Sequence, residues 1–484
     1  MTPIIGMRPI NPIIEENRRP GTDDWRLGLP AAAREIEGYA SATSIERGEA
    51  IELYVNTRAP SFILEVFRMG WYEGQGARRV FGPEQVAGTA QPMPVMQIDT
   101  GLVDCAWINP YSLRTSVDWV TGVYLARLTA SDSGAQSYII FVLRDEQRRA
   151  EVLVQLGVTT YQAYNPWGGK SLYDWSSSER QRAAKVSFNR PYAANAQNPA
   201  AASGMGAGEF LTNLQPHPNS FKVSNAGWDY NMVRWLEREG YNVAYCTNLD
   251  THCRPHLLQR QRACLSLGHD EYWSREMRDH FETARDAGVN LGFFSGNAAY
   301  WQVRFESSAA SGTADRIMVC YKKAKLDPLA AADKSRATDK WRSAAVGRPE
   351  EHLIGVMVVG YPVDADIVIE SAAHWVFAGT GLAAGDTLPG LLGYEVDCVH
   401  DRAASRVEIL AESPWTALTD ATQQGLAHMT IYTAASGAIV FATGSIQWAW
   451  GLDDYNAPSL RSSRLSAAAQ QITRNVLSRF TVSA

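Results

Sequence analysis

Near residue 150 this chain of 484 residues changes from one pattern of apolar residues to another, and the change limits the folds open to it. Before that point, short apolar runs rich in β-branched and aromatic residues are separated by turn residues, which is typical of antiparallel strands. The runs cover residues 51–56, 62–69, 122–128 and 137–144. We therefore predict an N-terminal extension and an Ig-like β-sandwich over residues 1–148, closed by the charged segment 144–149.

Beyond residue 149, strand-like and helix-like patterns alternate. The predicted elements are strands at 152–156, 242–246, 263–267 and 289–294, and helices at 228–239 and 274–287. Such alternation predicts a mostly parallel sheet with helices on both faces, as in flavodoxin-like and glutamine-amidotransferase-like folds. The fold class is thus α/β, with a second domain over residues 149–484.

The remainder of the second domain contains further strands and two long connections. The later predicted elements are strands at 354–359, 407–411, 428–433 and 438–443, and a closing helix at 465–480. The Ala-, Asn- and Gly-rich segment near 193–208 is predicted to be a mobile loop, because long connections inside compact domains are usually functional or mobile. The polar segment near 325–350 is predicted to be a surface insertion.

Composition excludes several classes of partner. The chain has 45 Lys and Arg against 51 Asp and Glu, a net charge of −6, and no basic block, so nucleic-acid binding is not expected. No run of 18 apolar residues occurs, which argues against a membrane span. The six cysteines show no Cys-x-x-Cys spacing, which favours a reduced, cytoplasmic location.

Polar and aromatic residues follow the first four strands of the predicted parallel sheet, at 157–165, 247–250, 268–274 and 295–297. In open α/β sheets, ligands bind beyond the carboxyl ends of the strands, where loops converge. The third segment is the most informative, because His269, Asp270 and Glu271 stand between a strand and a helix. These groups either serve catalysis or metal binding, or they complement the helix dipole; their position favours the first reading.

Common catalytic motifs are missing from the sequence. It has no Gly-x-Ser-x-Gly, and Cys246 and Cys264 fall inside predicted strands, so a serine or cysteine triad is not expected. It also lacks His-Glu-x-x-His, a phosphate-binding loop and a dinucleotide-binding glycine motif after a strand.

One compact group of zinc-type ligands does occur, formed by Asp250, His252, Cys253 and His256. We interpret it as a short solvated turn rather than a zinc site. Pro255 interrupts the run, and the sequence shows no further ligand at a distance.

Several ordered strings of residues lie between about 150 and 450. They are Thr-Tyr-Gln-Ala-Tyr-Asn-Pro-Trp-Gly-Gly-Lys-Ser-Leu-Tyr at 160–173, Ser-Phe-Asn-Arg-Pro-Tyr at 187–192, Gly-His-Asp-Glu-Tyr-Trp-Ser at 268–274, Phe-Phe-Ser-Gly-Asn at 293–297 and Gly-Tyr-Glu-Val-Asp at 393–397. Together they resemble the C-terminal α/β region of the large (β) subunit of N,N-dimethylformamidase. Strings at 67–72 and 76–78 are similar to the region that precedes it in that family.

The resemblance implies a mononuclear non-haem iron held by two tyrosinates and one glutamate. At the matching positions of this sequence, the implied ligands are Tyr164, Tyr192 and Glu271. Tyr161 competes with Tyr164 for the first position, and we favour Tyr164 because it belongs to the Ala-Tyr-Asn core of its string.

The resemblance also implies roles for residues around the metal. Glu395 resembles the catalytic carboxylate of the family, which takes a proton from water and delivers it to the departing amine. His269 and Asn297 are the candidates to stabilise developing negative charge. Asn297 and Asn165 are expected to bind substrate.

This ligand set suits iron chemically. Free tyrosine has a pKa near 10, so phenolate ligation at neutral pH requires a hard, strongly Lewis-acidic cation such as Fe(III). The expected activity is hydrolysis of a small amide C–N bond by metal-activated water. The family's small subunit is the partner that the resemblance implies, and homo-oligomers stay open. The alternative is a non-catalytic or carbohydrate-binding two-domain protein that keeps the fold but not the metal.

Overall fold

The computed structural model describes residues 11–194, 198–215, 225–400 and 407–482, and the chain is mixed α/β with many sheets and few helices. The strands of these residues are β1 Ile36–Ala40, β2 Ser44–Glu46, β3 Ala50–Thr57, β4 Ser61–Met69, β5 Ala77–Ala87, β6 Tyr111–Arg114, β7 Gly122–Ala130, β8 Gln136–Arg144, β9 Val152–Leu156, β10 Lys185–Ser187, β11 Val243–Thr247, β12 Ala263–His269, β13 Tyr272–Ser274, β14 Asn290–Gly296, β15 Trp301–Glu306, β16 Ile317–Val319, β17 Met357–Val368, β18 Thr387–Cys398, β19 Glu408–Thr416, β20 Gln424–Thr433 and β21 Ile439–Ala442. The α-helices are α1 Pro12–Asn17, α2 Val158–Tyr164, α3 Asp229–Arg238, α4 Asn248–Cys253, α5 His256–Gln259, α6 Arg275–Asp286, α7 Glu351–Ile354 and α8 Ala467–Thr481. Within the described ranges, none of these helices has the length and apolar character needed to cross a lipid bilayer.

Two sheets make up most of the N-terminal region. Five strands pair in the order β2-β8-β7-β4-β5, and three pair in the order β1-β3-β6. In β3 alternate residues are buried, including Ile51 and Leu53, as expected of a strand with one face in a core. These side chains share one hydrophobic cluster with Leu64 and Val66 of β4. The strands predicted in this region are therefore confirmed, whereas the Ig-like sandwich stays a prediction.

A seven-stranded sheet lies at the centre of the second region, in the order β11-β9-β12-β14-β21-β20-β19. The first five strands pair in parallel, and β20 and β19 continue the sheet in antiparallel fashion. Alternate residues of β9 join different hydrophobic clusters: Val152 and Val154 share one with buried residues of α3, and Leu153 shares another with buried residues of α6. The sheet is thus covered by helices on both faces. The flavodoxin-like topology stays a prediction.

Most predicted elements of the second region are present, and one requires correction. The strand at 152–156 has the predicted bounds, and the predicted helix at 274–287 is α6, capped by the Ser274 side chain. The strand predicted at 354–359 is wrong at its start, because residues up to Ile354 form α7. Gly355 ends this helix with a left-handed φ of +91°, which a glycine adopts without strain, and β17 follows.

The two predicted long connections contain more structure than their composition indicates. Part of the segment near 193–208 forms a short 3₁₀ helix, Pro199–Gly204, and residues 195–197 lie outside the described residues. In the segment near 325–350, Trp341 is fully buried against Arg278 and Arg348. The mobility of the first segment stays a prediction.

A buried ion pair joins the N-terminal region to the second one. Arg68 of β4 and Glu237 of α3 have fully buried side chains and form two hydrogen bonds of 2.8 and 2.9 Å. Glu237 also accepts hydrogen bonds from Asn17 and Tyr245. The two regions are therefore linked by a paired charge that water does not reach.

Glu237→Ala should destabilise the protein by about 3–5 kcal/mol, because it leaves the Arg68 charge buried without a partner. Urea denaturation followed by circular dichroism measures the effect. Glu239→Ala is the matched control on the end of the same helix, since Glu239 pairs with Arg474 at the surface and such pairs contribute about 1 kcal/mol or less. Equal losses in the two variants would contradict a special role for the buried pair.

Candidate active site

The predicted sheet edge does bring polar side chains from separate loops together. Strands β9, β12 and β14 run in parallel, so their carboxyl ends lie at the same edge. Helix α2 follows β9 and carries Tyr164; His269 ends β12, and Asn297 follows β14. Glu395 reaches the same place from β18, and a direct hydrogen bond joins it to Asn297.

The side-chain oxygens of Tyr164, Tyr173 and Glu271 form the centre of this site, and we call these groups the three oxygen donors. The hydroxyl oxygen of Tyr164 lies 3.0 Å from Glu271 Oε2, and that of Tyr173 lies 2.9 Å from the same atom. The two hydroxyl oxygens are 2.8 Å apart. Two phenols and one carboxylate therefore meet at a single point, with Tyr164 and Glu271 almost fully buried.

Hydrogen bonds to neighbouring residues hold the three donors in place. Trp301 Nε1 donates to the other oxygen of Glu271 at 2.8 Å, and the Glu271 backbone N–H donates to Thr160 Oγ1 at 2.9 Å. The Tyr272 hydroxyl donates to the Tyr173 hydroxyl at 2.6 Å. The carboxylate has little freedom to turn away, because each of its oxygens has a fixed partner.

Burial and mutual repulsion act against negative charge in this group of donors. Burial, together with the charge of Glu271, raises the pKa of Tyr164 and of Tyr173 well above the ordinary value. Burial also raises the pKa of Glu271, and the Glu395 carboxylate adds to the effect, although His269 opposes it. Burial and repulsion thus disfavour ionisation of all three groups at once.

His269 links these donors to a second carboxylate. Its Nε2 lies 3.1 Å from Glu395 Oε2 and 3.5 Å from Glu271 Oε2, in the geometry of an ion pair rather than of an aligned hydrogen bond. Burial lowers the pKa of His269, but the charges of Glu395 and Glu271 outweigh it and raise the value to about 9. The two carboxylates therefore favour the protonated form of His269.

Glu395 is held from two sides. Asn297 Nδ2 donates to its Oε2 at 2.5 Å, on the oxygen that also faces His269. The Asn297 backbone N–H donates to Asp397 at 2.8 Å, and Asp397 lies two positions after Glu395 on the same face of β18. This pairing fixes the position of β18 against the end of β14, and with it the position of the Glu395 carboxylate.

Lys322 is a charged group of the site that the sequence did not point to. Its ammonium nitrogen lies 3.4 Å from the centre of the Tyr173 ring and 4.9 Å from that of Trp301, which are cation–π contacts. Burial lowers the pKa of Lys322 to about 8, although the negative charge of Glu271 acts to raise it. A cation over the ring favours the phenolate form of Tyr173.

Local backbone geometry explains how His269 and Glu271 come to face the site. Gly268 has a φ of +49°, and a Cβ there would lie 2.6 Å from Asp229, so only glycine fits before His269. Asp270 points elsewhere and accepts hydrogen bonds from Gln155, Asn248 and Ser266. Of His269, Asp270 and Glu271, the first and last therefore face the site, whereas Asp270 links the ends of neighbouring strands.

Two tyrosines named from the sequence, Tyr192 and Tyr161, are not among the three donors. Among the described residues, Tyr192 has no hydrogen bond to Tyr164 or Glu271; it lines a cavity of about 650 Å³ with Trp167. The Tyr161 hydroxyl donates to Asp229. Of the two competing tyrosines, Tyr164 is thus the one whose hydroxyl contacts Glu271.

Asn165 bonds to the protein in every direction. It donates to Gln162 and the Pro191 carbonyl, and accepts from the backbone of Trp167 and Ala193. Its predicted contact with substrate stays a prediction, to which these four bonds give no support.

Sequence reasoning missed Tyr173, Lys322, Tyr272 and Trp301. A signal for Tyr173 existed, because it closes the string at 160–173 that also contains Tyr164. Nothing in the sequence around Lys322 distinguishes it from the next residue, Lys323, since its role comes from burial against rings of distant segments.

Comparison with known proteins identifies one match over most of the chain. The sequence model of the family described as N,N-dimethylformamidase beta subunit-like, C-terminal, matches residues 63–460. No curated protein matches. Among solved structures, one similar chain is the AA10 lytic polysaccharide monooxygenase from Streptomyces lividans, at 17% identity and a TM-score of 0.15. That alignment covers 21% of this chain and 58% of the other.

Proposed function

We propose, starting from the fact that the chain belongs to the N,N-dimethylformamidase beta subunit-like family, that it is an iron-dependent amidohydrolase acting on a small amide C–N bond. One observation carries the proposal. The oxygens of Tyr164, Tyr173 and Glu271 lie within 3.0 Å of one another at the carboxyl edge of a parallel sheet. A His269–Glu395 pair stands beside them, where proton transfer would be needed.

The three donors fit a hard metal ion. Oxygens about 2 Å from an octahedral cation, at right angles to each other, are about 2.8 Å apart. The observed separations of 2.8, 2.9 and 3.0 Å agree with that value. Two phenolates and a carboxylate would balance the charge of Fe(III), and an all-oxygen donor set suits it better than Zn(II) or Cu(I). We therefore propose Tyr164, Tyr173 and Glu271 as ligands, with Tyr173 in the place that the resemblance assigned to Tyr192.

Iron bound there would supply Lewis acidity that polarises the amide carbonyl and acidifies water. The protein's own groups perform the proton transfers. Glu395 Oε2 takes the proton of the attacking water and later delivers it to the leaving nitrogen, so that amide and water become acid and amine. Cationic His269 stabilises the negative charge that develops on the carbonyl oxygen. Asn297 keeps Glu395 in position through its side-chain N–H.

The proposal extends to partners, location and fold. The family is named for a beta subunit, which supports a second, smaller subunit as partner. All six cysteines are free, which supports a reducing, cytoplasmic setting. The cluster shared by the two N-terminal sheets supports a β-sandwich, and the central parallel strands support a flavodoxin-like arrangement.

Tyr173→Phe should remove a charge-transfer absorption band from the iron-loaded protein. Tyrosinates bound to Fe(III) transfer charge to the metal in the visible range, and phenylalanine keeps the ring while deleting the oxygen. The fold should survive, because one buried hydrogen bond contributes about 1 kcal/mol net. Visible absorption and iron content per chain measure the effect.

Tyr192→Phe and Tyr161→Phe are the matched controls, and both should keep band and iron. Loss of the band in Tyr192→Phe, with an unchanged band in Tyr173→Phe, would return Tyr192 to the ligand set and exclude Tyr173. Loss of the band in Tyr161→Phe alone would contradict the choice of Tyr164.

A further inference from the structure

A group of side chains of the types that bind metals lies at the surface near α4. One ring nitrogen of His252, the sulfur of Cys253 and one carboxylate oxygen of Asp315 all lie within 4.8 Å of one another. Asp315 is more than 60 residues away in sequence and supplies the distant group that the sequence analysis lacked. Asp250 and His256 are engaged elsewhere, with Arg144 and Glu146 respectively.

Neighbouring contacts already hold this group in a suitable arrangement. His252 Nδ1 lies 2.8 Å from Ser274 Oγ, and its ring packs edge-on against Phe305 at 4.8 Å. Ligating histidines usually have such a contact, since the nitrogen that does not bind the metal bonds a neighbouring polar group. The Cys253 thiol donates to Asp315 Oδ2 at 3.5 Å. The thiol proton therefore lies between the two groups, where a bound cation would replace it.

We propose that His252, Cys253 and Asp315 bind a zinc-type divalent cation. Imidazole, thiolate and carboxylate are the three ligand types that zinc takes, and the fourth tetrahedral position falls to water because Cys253 is exposed. Ligand atoms about 2.0–2.3 Å from a tetrahedral zinc lie about 3.5 Å apart, the separation of Cys253 and Asp315. The ionised ligands carry two negative charges, which balance a divalent cation, and binding releases the thiol proton.

This site is chemically distinct from the tyrosine and glutamate donors, and it does not rest on the proposed function. Its sulfur and nitrogen ligands favour zinc over Fe(III), whereas the all-oxygen donors favour the reverse. Bound zinc would tie the end of α4 to the turn before β16. Because it joins these two segments in the folded state, added zinc should raise the thermal midpoint.

Titration with cobalt(II) alone tests the proposal, because cobalt occupies zinc sites and a thiolate ligand gives it an intense near-ultraviolet band. The full chain should bind one cobalt with this band, and zinc should displace it. Cys253→Ser should abolish the band, and Asp315→Asn should weaken binding about tenfold or more. The serine variant should fold, since Cys253 is exposed.

Two further variants separate this site from its surroundings. His256→Gln, a few residues further along the chain, should leave the cobalt band unchanged. Glu271→Gln should also keep it, so the result stands whether or not iron binds at the tyrosines. The proposal is overturned if no thiolate band forms, if the band survives in Cys253→Ser, or if Asp315→Asn binds cobalt as tightly as the unaltered protein.

Discussion

Glu271→Gln is expected to yield a folded, colourless protein without iron. Glu271 Oε2 is the atom that both tyrosine hydroxyls approach, so its loss removes one ligand and the charge that pairs with the cation. The amide keeps the shape and the contact with Trp301, which preserves packing. We expect iron affinity to fall on the order of 100-fold or more. Changing a residue that only hydrogen-bonds to a ligand typically lowers metal affinity by about 10–100-fold, and loss of the ligand itself should cost more. Elemental analysis and visible absorption of purified and iron-reconstituted protein measure it.

Glu276→Gln serves as the control for this substitution. Glu276 lies five residues further along the chain, on α6, and pairs with Arg336 at the surface. It should bind iron and absorb like the unaltered protein. Full iron content in Glu271→Gln would remove Glu271 from the ligand set and with it the proposed metal centre.

Glu395→Gln is expected to keep iron and colour but to lose turnover by about 10²–10⁴-fold, the usual contribution of a general acid–base group. Glutamine can accept the Asn297 hydrogen bond but cannot take a proton from water at neutral pH. Amine release from a panel of formamides and acetamides, with and without N-methyl groups, measures activity.

The partner strand of Glu395 offers a matched control. Asp364→Asn removes a carboxylate of β17 that pairs with Arg464 at the surface, and it should leave turnover unchanged. Equal rates for Glu395→Gln and the unaltered protein on a substrate from the panel would exclude Glu395 from proton transfer.

The strands of the seven-stranded sheet and the helices α3, α6 and α8 could be predicted from sequence, because each shows an apolar period. Strand β18 could not, although it carries Glu395. Pro389, Gly390 and Gly393 interrupt its pattern and read as turn signals. Its pairing with β17, interrupted by register shifts, supplies what the local sequence lacks.

Only some residues of the candidate site could be predicted from the sequence. His269 and Glu271 could be predicted because they directly follow a predicted strand, and ligands bind at the carboxyl edge of a parallel sheet. Tyr164 and Glu395 came from family resemblance. Tyr173 and Lys322 were missed, because their roles arise from contacts between loops that have no periodicity.

X-ray diffraction at the iron absorption edge, from crystals of iron-reconstituted protein, tests the central claim most directly. We predict one anomalous peak about 2 Å from the Tyr164 hydroxyl oxygen, the Tyr173 hydroxyl oxygen and a Glu271 carboxylate oxygen. Ordered side chains at these positions with no peak between them, or an iron bound by other residues, would contradict the account.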